Sequence, residues 1–146
     1  DWRMDRDAKL REWMLGNEDA CAILRQVSHI AEVWDDLVDG DKMPEQGAVT
    51  HAFEAAMVRL QTNRLFMANH AMFMGVIVLS INAWHDANVW QHETGWKRHQ
   101  AFFLRNLGIE LAMLCAFVVG GYDHMRGVSL AMREFFHHEN YEEWQP

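Results

Sequence analysis

The chain has 146 residues, a length that suits a single domain with one hydrophobic core. Half of its residues are apolar, and they include seven Trp, eight Phe and ten Met, which excludes an intrinsically disordered chain. Thirteen Lys and Arg against 21 Asp and Glu give a net charge of -8. This charge disfavours direct binding to nucleic acid, whose phosphates it would repel. We therefore predict one packed domain over residues 1–146.

The two cysteines bear on the compartment of the protein. Cys21 and Cys115 each lie in an apolar helical run, and neither has a His or Cys at the spacing of metal ligands. We expect both to be small core residues of a protein in a reducing compartment. Two reduced cysteines in the core predict a cytoplasmic location.

One long apolar segment raises the question of a membrane span. Residues 65–84 contain no Asp, Glu, Lys or Arg across 20 positions, which meets the length rule for a spanning helix. Asn69, His70 and Asn82 interrupt the segment, and no cluster of Lys and Arg flanks it. We therefore expect a central helix that is buried on all sides, and no membrane partner.

Apolar residues recur at spacings of three and four along most of the chain, which predicts helices. A short amphipathic helix is expected over residues 5–14 and ends at Gly16, after which Asn17 is a typical N-cap. The longer helices are expected over residues 17–39, 44–61, 63–93, 96–120 and 125–136, followed by a tail over residues 141–146. The pattern shows no strand-like alternation, repeat or linker. It predicts an all-α, single-domain antiparallel bundle of about five helices.

Three of these helices carry expectations about direction or about their apolar side. Short connections make neighbouring helices antiparallel, so the helices over 17–39 and 63–93 should run in the same direction. In the helix over 44–61, Pro44 suits the first helical position. Its apolar pattern is formed by Val49, Phe53, Ala56, Met57 and Leu60.

An acidic run occupies the end of the helix over 17–39 and consists of Glu32, Asp35, Asp36, Asp39 and Asp41. Carboxylates at a helix C-terminus face the negative end of the macrodipole, and each is disfavoured by roughly 0.3 to 1 kcal/mol. Glu32 with Asp36, and Asp35 with Asp39, are like-charged pairs that cost about 0.2 to 0.5 kcal/mol each. A bound cation would remove this repulsion, which indicates a metal site. The alternative is a solvated helix end that aids solubility.

Polar residues also collect in the C-terminal half of the helix over 63–93, namely Asn82, His85, Asp86, Asn88 and His92. If this helix is buried, each group without a partner would cost about 1 to 3 kcal/mol, so the groups need partners or an aqueous cavity. The parallel direction of the two helices would bring them to the same end as the acidic run. The sequence therefore predicts an acidic cleft, with a satisfied polar network as the alternative.

Oxygen ligands of this kind suit Mg²⁺ or Mn²⁺ better than zinc. A hard cation in such a cleft commonly clamps phosphate oxygens and activates a water molecule. The predicted metal ligands are Glu32, Asp35, Asp39 and Asp86.

Other residues of the predicted cleft would act on the substrate. His85 and Asp86 are the predicted catalytic residues, with His85 as general base or as the group that orients the water. Asn82, Asn88 and Arg105 are the predicted substrate-binding residues, Arg105 because a guanidinium suits a phosphate. An ion pair between Arg105 and Glu110 is the alternative for that arginine.

Two resemblances concern metal enzymes with carboxylate ligands. The run Asp35-Asp36-Leu37-Val38-Asp39 resembles the DDxxD motif of class I isoprenoid synthases, in which such carboxylates hold Mg²⁺ against a diphosphate. Their second metal motif is met only loosely, by Asn82 and Asp86, and the resemblance supports an analogy of mechanism rather than membership. Glu134-Phe135-Phe136-His137 has the Glu-x-x-His spacing of ferritin-like di-iron proteins, a fold that needs two such motifs.

A further resemblance concerns phosphate hydrolysis. His85-Asp86 together with Asp123 resembles the H…HD…D pattern of HD-domain phosphohydrolases, which are all-helical metal enzymes. His29 or His51 would have to supply the first ligand of that pattern. The resemblance implies a metal-dependent phosphohydrolase.

A broader resemblance covers most of the chain. The segments that carry it are 28–29, 34–37, 39–42, 81–84 and 120–124, which are similar to small uncharacterised proteins encoded by tailed bacteriophages. The resemblance implies a place in an infected host cell or in a virion, and it implies no catalytic residue.

Two functions follow as hypotheses. The first is a metal-dependent phosphohydrolase or pyrophosphohydrolase that acts on a small phosphorylated substrate such as a nucleotide. The second is a non-enzymatic phage accessory or virion protein that binds a protein partner or forms a homo-oligomer through its aromatic and Met residues. Buried carboxylates that converge would favour the enzyme. A patch of exposed tryptophans, drawn from Trp2, Trp13, Trp90 and Trp96, would favour the binding protein.

Overall fold

The computed structural model describes residues 2–40 and 42–146, apart from the side chains of Trp2 and Arg3. The fold is all-α, with 79% of the chain helical and no strand in the described ranges. The seven α-helices are α1 (Trp2–Trp13), α2 (Glu18–Asp39), α3 (Gln46–Glu54), α4 (Arg64–Ala68), α5 (His70–Trp90), α6 (Trp96–Leu104) and α7 (Ile109–Phe136). A π-helix (Ala55–Arg59) continues α3, and a 3₁₀ helix (Tyr141–Glu143) follows α7. The all-α prediction is confirmed, and the predicted number of about five helices was too low.

Asparagine side chains explain one of the extra helices, because they form hydrogen bonds with the backbone that compete with a continuous helix. Asn63 accepts a hydrogen bond from Phe66 N at 3.0 Å and so caps α4. Its amide also donates to the carbonyl oxygen of Asp19 at 3.0 Å, which ties α4 to the start of α2. The Asn69 amide donates to Leu65 O at 3.0 Å, and the α-helix breaks at Asn69. The single helix predicted for this stretch is therefore two helices, α4 and α5.

A second difference lies in the single helix predicted over residues 96–120, which is interrupted after Leu104. α6 ends earlier, at Leu104, and the Asn106 amide donates to Phe102 O at 3.2 Å in the turn that follows. α7 spans Gly120-Gly121, where the sequence predicted the end of a helix. Its helical geometry is interrupted there, since Gly121 has φ 85° and ψ -178°, so the predicted break at these glycines is confirmed. The helix predicted over residues 125–136 is thus the second part of α7.

The kink in α7 can be tested with two alanine substitutions. Gly121→Ala should lower the free energy of unfolding by about 1 to 3 kcal/mol, because a side chain is strained at this backbone conformation. Gly127→Ala is the matched control: a Cβ there meets no atom within 4 Å, so it should stabilise the helix by about 0.5 to 1 kcal/mol. Urea denaturation followed by far-UV circular dichroism measures both. Equal stabilisation by the two substitutions would mean that Gly121 does not adopt the positive φ that produces the kink.

The chain forms two compact units that divide between His70 and Ala71. In the first unit, α2 packs against α1, α3, the π-helix and α4. Burial raises the pKa of the Cys21 thiol, which therefore stays neutral at neutral pH. Cys115, in the second unit, is also fully buried, so the prediction that both cysteines are core residues is confirmed. The core of the first unit is made of Leu10, Trp13, Met14, Ala20, Cys21, Ile23, Leu24, Val33, Ala52, Ala55, Leu60 and Phe66.

Within the second unit, α5 has a narrow buried side. Phe73, Ala83 and Ala87 are buried, whereas Val78 and Leu79 are exposed. The prediction of a helix buried on all sides is therefore wrong. Among the described helices, none has by itself the length and apolar content to cross a bilayer. α6 and residues Ile109–Glu143, bent by 45° between them, meet those two criteria together.

The C-terminal segment packs on α5 and α6 around Trp144. The Trp144 ring forms a small core with Ala87 and Ala101. The Arg98 guanidinium lies 4.8 Å from the centre of the Trp144 ring and 4.9 Å from that of Tyr141, and it donates a hydrogen bond to Trp144 O. Such cation–π contacts add to the burial of the aromatic rings. Trp144 is therefore the anchor of this segment.

This anchor predicts a difference between two tryptophan substitutions. Trp144→Ala should lower the free energy of unfolding by about 3 kcal/mol, because it removes a buried aromatic ring and its contacts with Arg98. Trp96→Ala is the matched control and should cost less than about 1 kcal/mol, since Trp96 is 64% exposed. Urea midpoints of the full chain measure both. A loss for Trp144→Ala no larger than the control would contradict the anchoring role.

Candidate functional site

The two ends of α2 differ in how they suit the helix dipole. At the N-terminus, Asn17 Oδ1 accepts a hydrogen bond from Ala20 N at 3.0 Å, and Glu18 and Asp19 lie in the first turn. At the C-terminus, Gly40 has φ 70° and its N–H donates to Asp36 O at 3.1 Å. The last turn contains no basic residue. The first turn thus stabilises the helix, and the last turn holds negative charge at the negative end of the dipole.

The last turns of α2 have an acidic side and an apolar side. At 100° per residue, the four described acids Glu32, Asp35, Asp36 and Asp39 fall on one side of the helix. Glu32 and Asp39 are exposed, and Asp35 and Asp36 are half-buried. The opposite side carries Trp34, Leu37 and Val38, which are 39%, 43% and 54% exposed. Both sides of this end of α2 therefore reach solvent. Asp41, the fifth acid of the predicted run, lies outside the described residues.

The predicted polar site on α5 is also at the surface. Asn82, His85 and Asp86 are exposed, and Asn88 is half-buried. The His85 ring makes an edge contact with the Trp84 ring, with the ring centres 5.3 Å apart. These groups are solvated, so they do not need the aqueous cavity that a fully buried helix would have required.

The predicted metal ligands come from both units: Glu32, Asp35 and Asp39 from the first, and Asp86 from the second. Across residues 2–40 and 42–146, no group of three or more His, Cys, Asp or Glu side chains is placed to hold a metal ion. A site for Mg²⁺ or Mn²⁺ therefore stays a prediction, as do the catalytic roles of His85 and Asp86.

The histidines required by the HD-domain resemblance lie together in the first unit. The rings of His29 on α2 and His51 on α3 make an edge contact, with their centres 4.7 Å apart. His29 Nε2 lies 3.0 Å from Ala48 O, and because a carbonyl oxygen only accepts, this nitrogen carries the proton. That nitrogen joins α2 to α3 and does not offer a lone pair to a metal.

Arg105 has partners other than the one predicted. Its guanidinium lies 3.7 Å from a Glu139 carboxylate oxygen and 5.3 Å from the centre of the Trp144 ring. Glu110 instead pairs with Arg133 at 2.6 Å. The predicted pairing of Arg105 with Glu110 is therefore wrong. The reason is that the C-terminal segment brings Glu139 to Arg105, whereas α7 carries Arg133 back to Glu110. A substrate-binding role for Arg105 stays a prediction.

The outer side of α3 is a surface that the sequence analysis did not identify. Phe53 and Met57 are 61% and 72% exposed, although they belong to the apolar pattern of the predicted helix. The buried side of α3 and the π-helix carries Ala52 and Ala55 instead. Small alanine side chains let two helices approach closely. The positions of Ala52 and Ala55 in the sequence could therefore have indicated which side of α3 faces α2. An open groove of about 370 Å³ runs along the outer side and is lined by Val49, Thr50, Phe53, Glu54, Met57 and Val58.

The tryptophans divide between core and surface. Trp13 is buried, and the side chain of Trp2 lies outside the described part. Trp96 is exposed and its ring makes an edge contact with that of half-buried Trp90, with the centres 5.3 Å apart. Two of the four tryptophans therefore form one surface pair, on the second unit.

No protein-family model, no curated protein and no solved structure matches this chain. The resemblance to bacteriophage proteins therefore stays a prediction.

The charge at the end of α2 can be tested with one substitution. Asp36→Asn should raise the free energy of unfolding by about 0.5 kcal/mol at low salt, because it removes repulsion with Glu32 and with the dipole. The gain should shrink at 1 M salt. Asp19→Asn, in the first turn of the same helix, is the matched control and should destabilise the protein. Urea denaturation at both salt concentrations measures the two effects.

The same assay tests the predicted metal site. Mg²⁺ or Mn²⁺ bound only by the folded chain would stabilise it by about 2.7 kcal/mol at a hundred times the dissociation constant. The Asp35→Asn, Asp39→Asn double variant would lose that stabilisation. This result would support the metal site, and wild-type stability that does not respond to either ion would exclude it.

Proposed function

We propose that this protein is a non-enzymatic accessory or virion protein that acts through protein–protein contacts and self-associates through the outer side of α3. The observation that carries the proposal is the exposed apolar groove that contains Phe53 and Met57. Fully burying one such side chain contributes about 1.5 to 3 kcal/mol, so covering the groove would supply substantial association free energy. Methionine adapts its shape to a partner surface.

Charge favours a second copy as the occupant of this groove. Each copy has a net charge of -8, so two copies repel each other, and the repulsion is smallest where the surfaces that meet carry no net charge. The Glu54 carboxylate at the groove lies 3.7 Å from the Arg59 guanidinium, so the two charges offset each other. The remaining lining residues, Val49, Thr50, Phe53, Met57 and Val58, are uncharged. A two-fold interface brings the same surface of both copies together, which requires this kind of self-complementarity.

The exposure of the acidic residues also supports a binding protein over an enzyme. Catalytic acids and bases generally depend on partly desolvated positions that shift their pKa. Asp86 and its neighbour His85, the residues with predicted catalytic roles, are exposed instead. The phosphohydrolase hypothesis remains testable through the metal titration described above.

Sedimentation velocity over a range of protein concentrations tests self-association. The wild-type chain should shift towards a dimer as its concentration rises, and a Phe53→Ser, Met57→Ser double variant should remain monomeric. The unchanged helix content of the variant is checked by far-UV circular dichroism.

The matched control is a Met4→Ser, Met43→Ser double variant, which changes two exposed apolar side chains that do not line the groove. It should associate like the wild type. A wild-type chain that stays monomeric at all concentrations, or a control that loses association equally, would overturn the proposal.

A further inference from the structure

The ring of Trp144 lies in a pocket that belongs to α5 and α6. Two fully buried alanines pack against the ring, and their small side chains leave room for it. The Phe102 ring lies beside it, with the ring centres 5.3 Å apart, and two guanidinium groups lie 4.8 and 5.3 Å from its centre. We call this pocket the Trp socket, and it consists of Ala87, Arg98, Ala101, Phe102 and Arg105.

The Trp socket is basic, although the chain as a whole has a net charge of -8. Residues 94–109, which include α6, contain three Lys or Arg and no Asp or Glu. The segment that occupies the socket has the opposite charge, since residues 137–144 contain three Glu and no Lys or Arg. One Arg105 guanidinium nitrogen lies 3.7 Å from a Glu139 carboxylate oxygen. Charge complementarity therefore favours an acidic segment as the occupant of the socket.

The contacts of the occupant depend on a short stretch of chain. Trp144 is the only buried residue of the segment 137–146. Arg98 donates a hydrogen bond to Trp144 O and lies 4.9 Å from the centre of the Tyr141 ring. The His99 ring stacks on that of Tyr141 with the centres 4.5 Å apart. None of these contacts requires the segment to be continuous with α7, so a peptide of another chain could make the same ones.

The chain's own segment satisfies the socket incompletely. Trp144 Nε1 and Glu139 Oε2 are buried, and neither has a hydrogen-bond partner among the described residues. A buried polar atom without a partner destabilises the arrangement that contains it. Residues 137–140, which connect the segment to α7, are not helical, so the segment can leave the socket without unfolding α7. A ligand that avoids these two losses therefore has an advantage over the chain's own segment.

We propose that the Trp socket is a binding site for an acidic segment of a partner protein with an aromatic anchor. In the absence of that partner the chain's own C-terminal segment occupies the site. The occupant identifies the chemistry that the socket accepts: an aromatic ring preceded by carboxylates, one of which reaches Arg105. The site lies on α5 and α6, so it is separate from the groove on α3, and the proposal holds whether or not the chain self-associates.

A partner protein fits this site better than the C-terminal segment of a second copy. An exchanged segment would make the contacts that it already makes within its own chain, so the exchange gains nothing at the socket. Within one chain the segment is present at an effective concentration on the order of millimolar, which a second copy would have to exceed. A different acidic segment competes more effectively because it can remove the two unsatisfied polar atoms.

Fluorescence anisotropy with a labelled peptide tests the proposal on the full-length chain. The probe has the sequence of residues 137–146. It should bind the wild-type chain weakly, because the chain's own segment fills the socket. Trp144→Ala in the chain empties the socket and should tighten binding at least about tenfold, since the apparent affinity scales with the open fraction. Tyr141→Ala, which removes a half-buried ring and disturbs the fold less, should tighten binding to a smaller extent.

Two altered peptides test the chemistry of the ligand. A peptide with Ala in place of its Trp should not bind to the Trp144→Ala chain. A peptide with Gln in place of its three Glu should bind roughly fivefold more weakly, as expected for partly exposed ion pairs, and with less dependence on salt. Binding of the Ala peptide as tight as that of the probe would overturn the proposal.

Variants of α6 locate the binding. Arg98→Gln added to the Trp144→Ala chain should weaken binding of the probe by roughly tenfold, because it removes two cation–π contacts and a hydrogen bond. Lys97→Gln is the matched control: it removes a charge of the same helix outside the socket and should change the affinity less than about twofold. An equal loss for the two substitutions would overturn the proposal.

Stability provides a second measurement that does not depend on a fully folded variant. Excess probe should raise the urea midpoint of the Trp144→Ala chain towards that of the wild type, because it restores the missing ring to the socket. It should not raise the midpoint when Arg98→Gln is also present. A midpoint of the Trp144→Ala chain that does not respond to the probe would contradict a socket that accepts a separate peptide.

The last comparison separates this proposal from self-association. Phe53→Ser, Met57→Ser should abolish self-association and leave probe binding unchanged. Self-association that persists in that variant and is lost in Trp144→Ala would overturn the proposal of a partner protein, because the segment would then be exchanged between copies. Probe binding to Trp144→Ala in a chain that never self-associates would overturn only the proposed self-association.

Discussion

Burial of one side of α2 is the constraint on which the first unit depends. α1, α3, the π-helix and α4 all pack against this helix, and its buried side chains lie mainly in its first two turns. The Asn63 amide ties α4 to the Asp19 carbonyl at the start of the same helix. Because the partners concentrate there, the last turns of α2 carry Trp34 and the acidic residues to the surface. The exposure of the last turns of α2 is a consequence of where the core forms.

Side-chain size on α3 decides which residues line the groove on its outer side. Ala52 and Ala55 lie on the buried side, and the larger Phe53 and Met57 lie on the outer side. Placing the large residues inward would bury more apolar area but would hold the helices farther apart. The contact between His29 and Ala48 O at 3.0 Å requires the close approach of α2 and α3. Packing of the alanine side of α3 against α2 therefore creates both the closely spaced helix pair and the exposed groove.

The groove on α3 and the last turns of α2 differ in charge although they belong to the same unit. The groove has a paired Glu54 and Arg59, which leaves it nearly neutral. The last turns of α2 carry Glu32, Asp35, Asp36 and Asp39 on the side of the helix opposite Trp34, Leu37 and Val38. A neutral apolar surface is compatible with a second copy of an acidic protein.

The sequence by itself determined the all-α class, the cap at Asn17 and the burial of both cysteines. Caps are decided by hydrogen bonds within a few residues, and helical periodicity is a local property, so both are readable without the fold. Only the tertiary structure decided that Phe53 faces outward, that His85 and Asp86 are solvated and that Arg105 pairs with Glu139. Those outcomes depend on what a distant segment presents at each position, and an apolar or charged residue looks the same in the sequence whether or not another helix covers it.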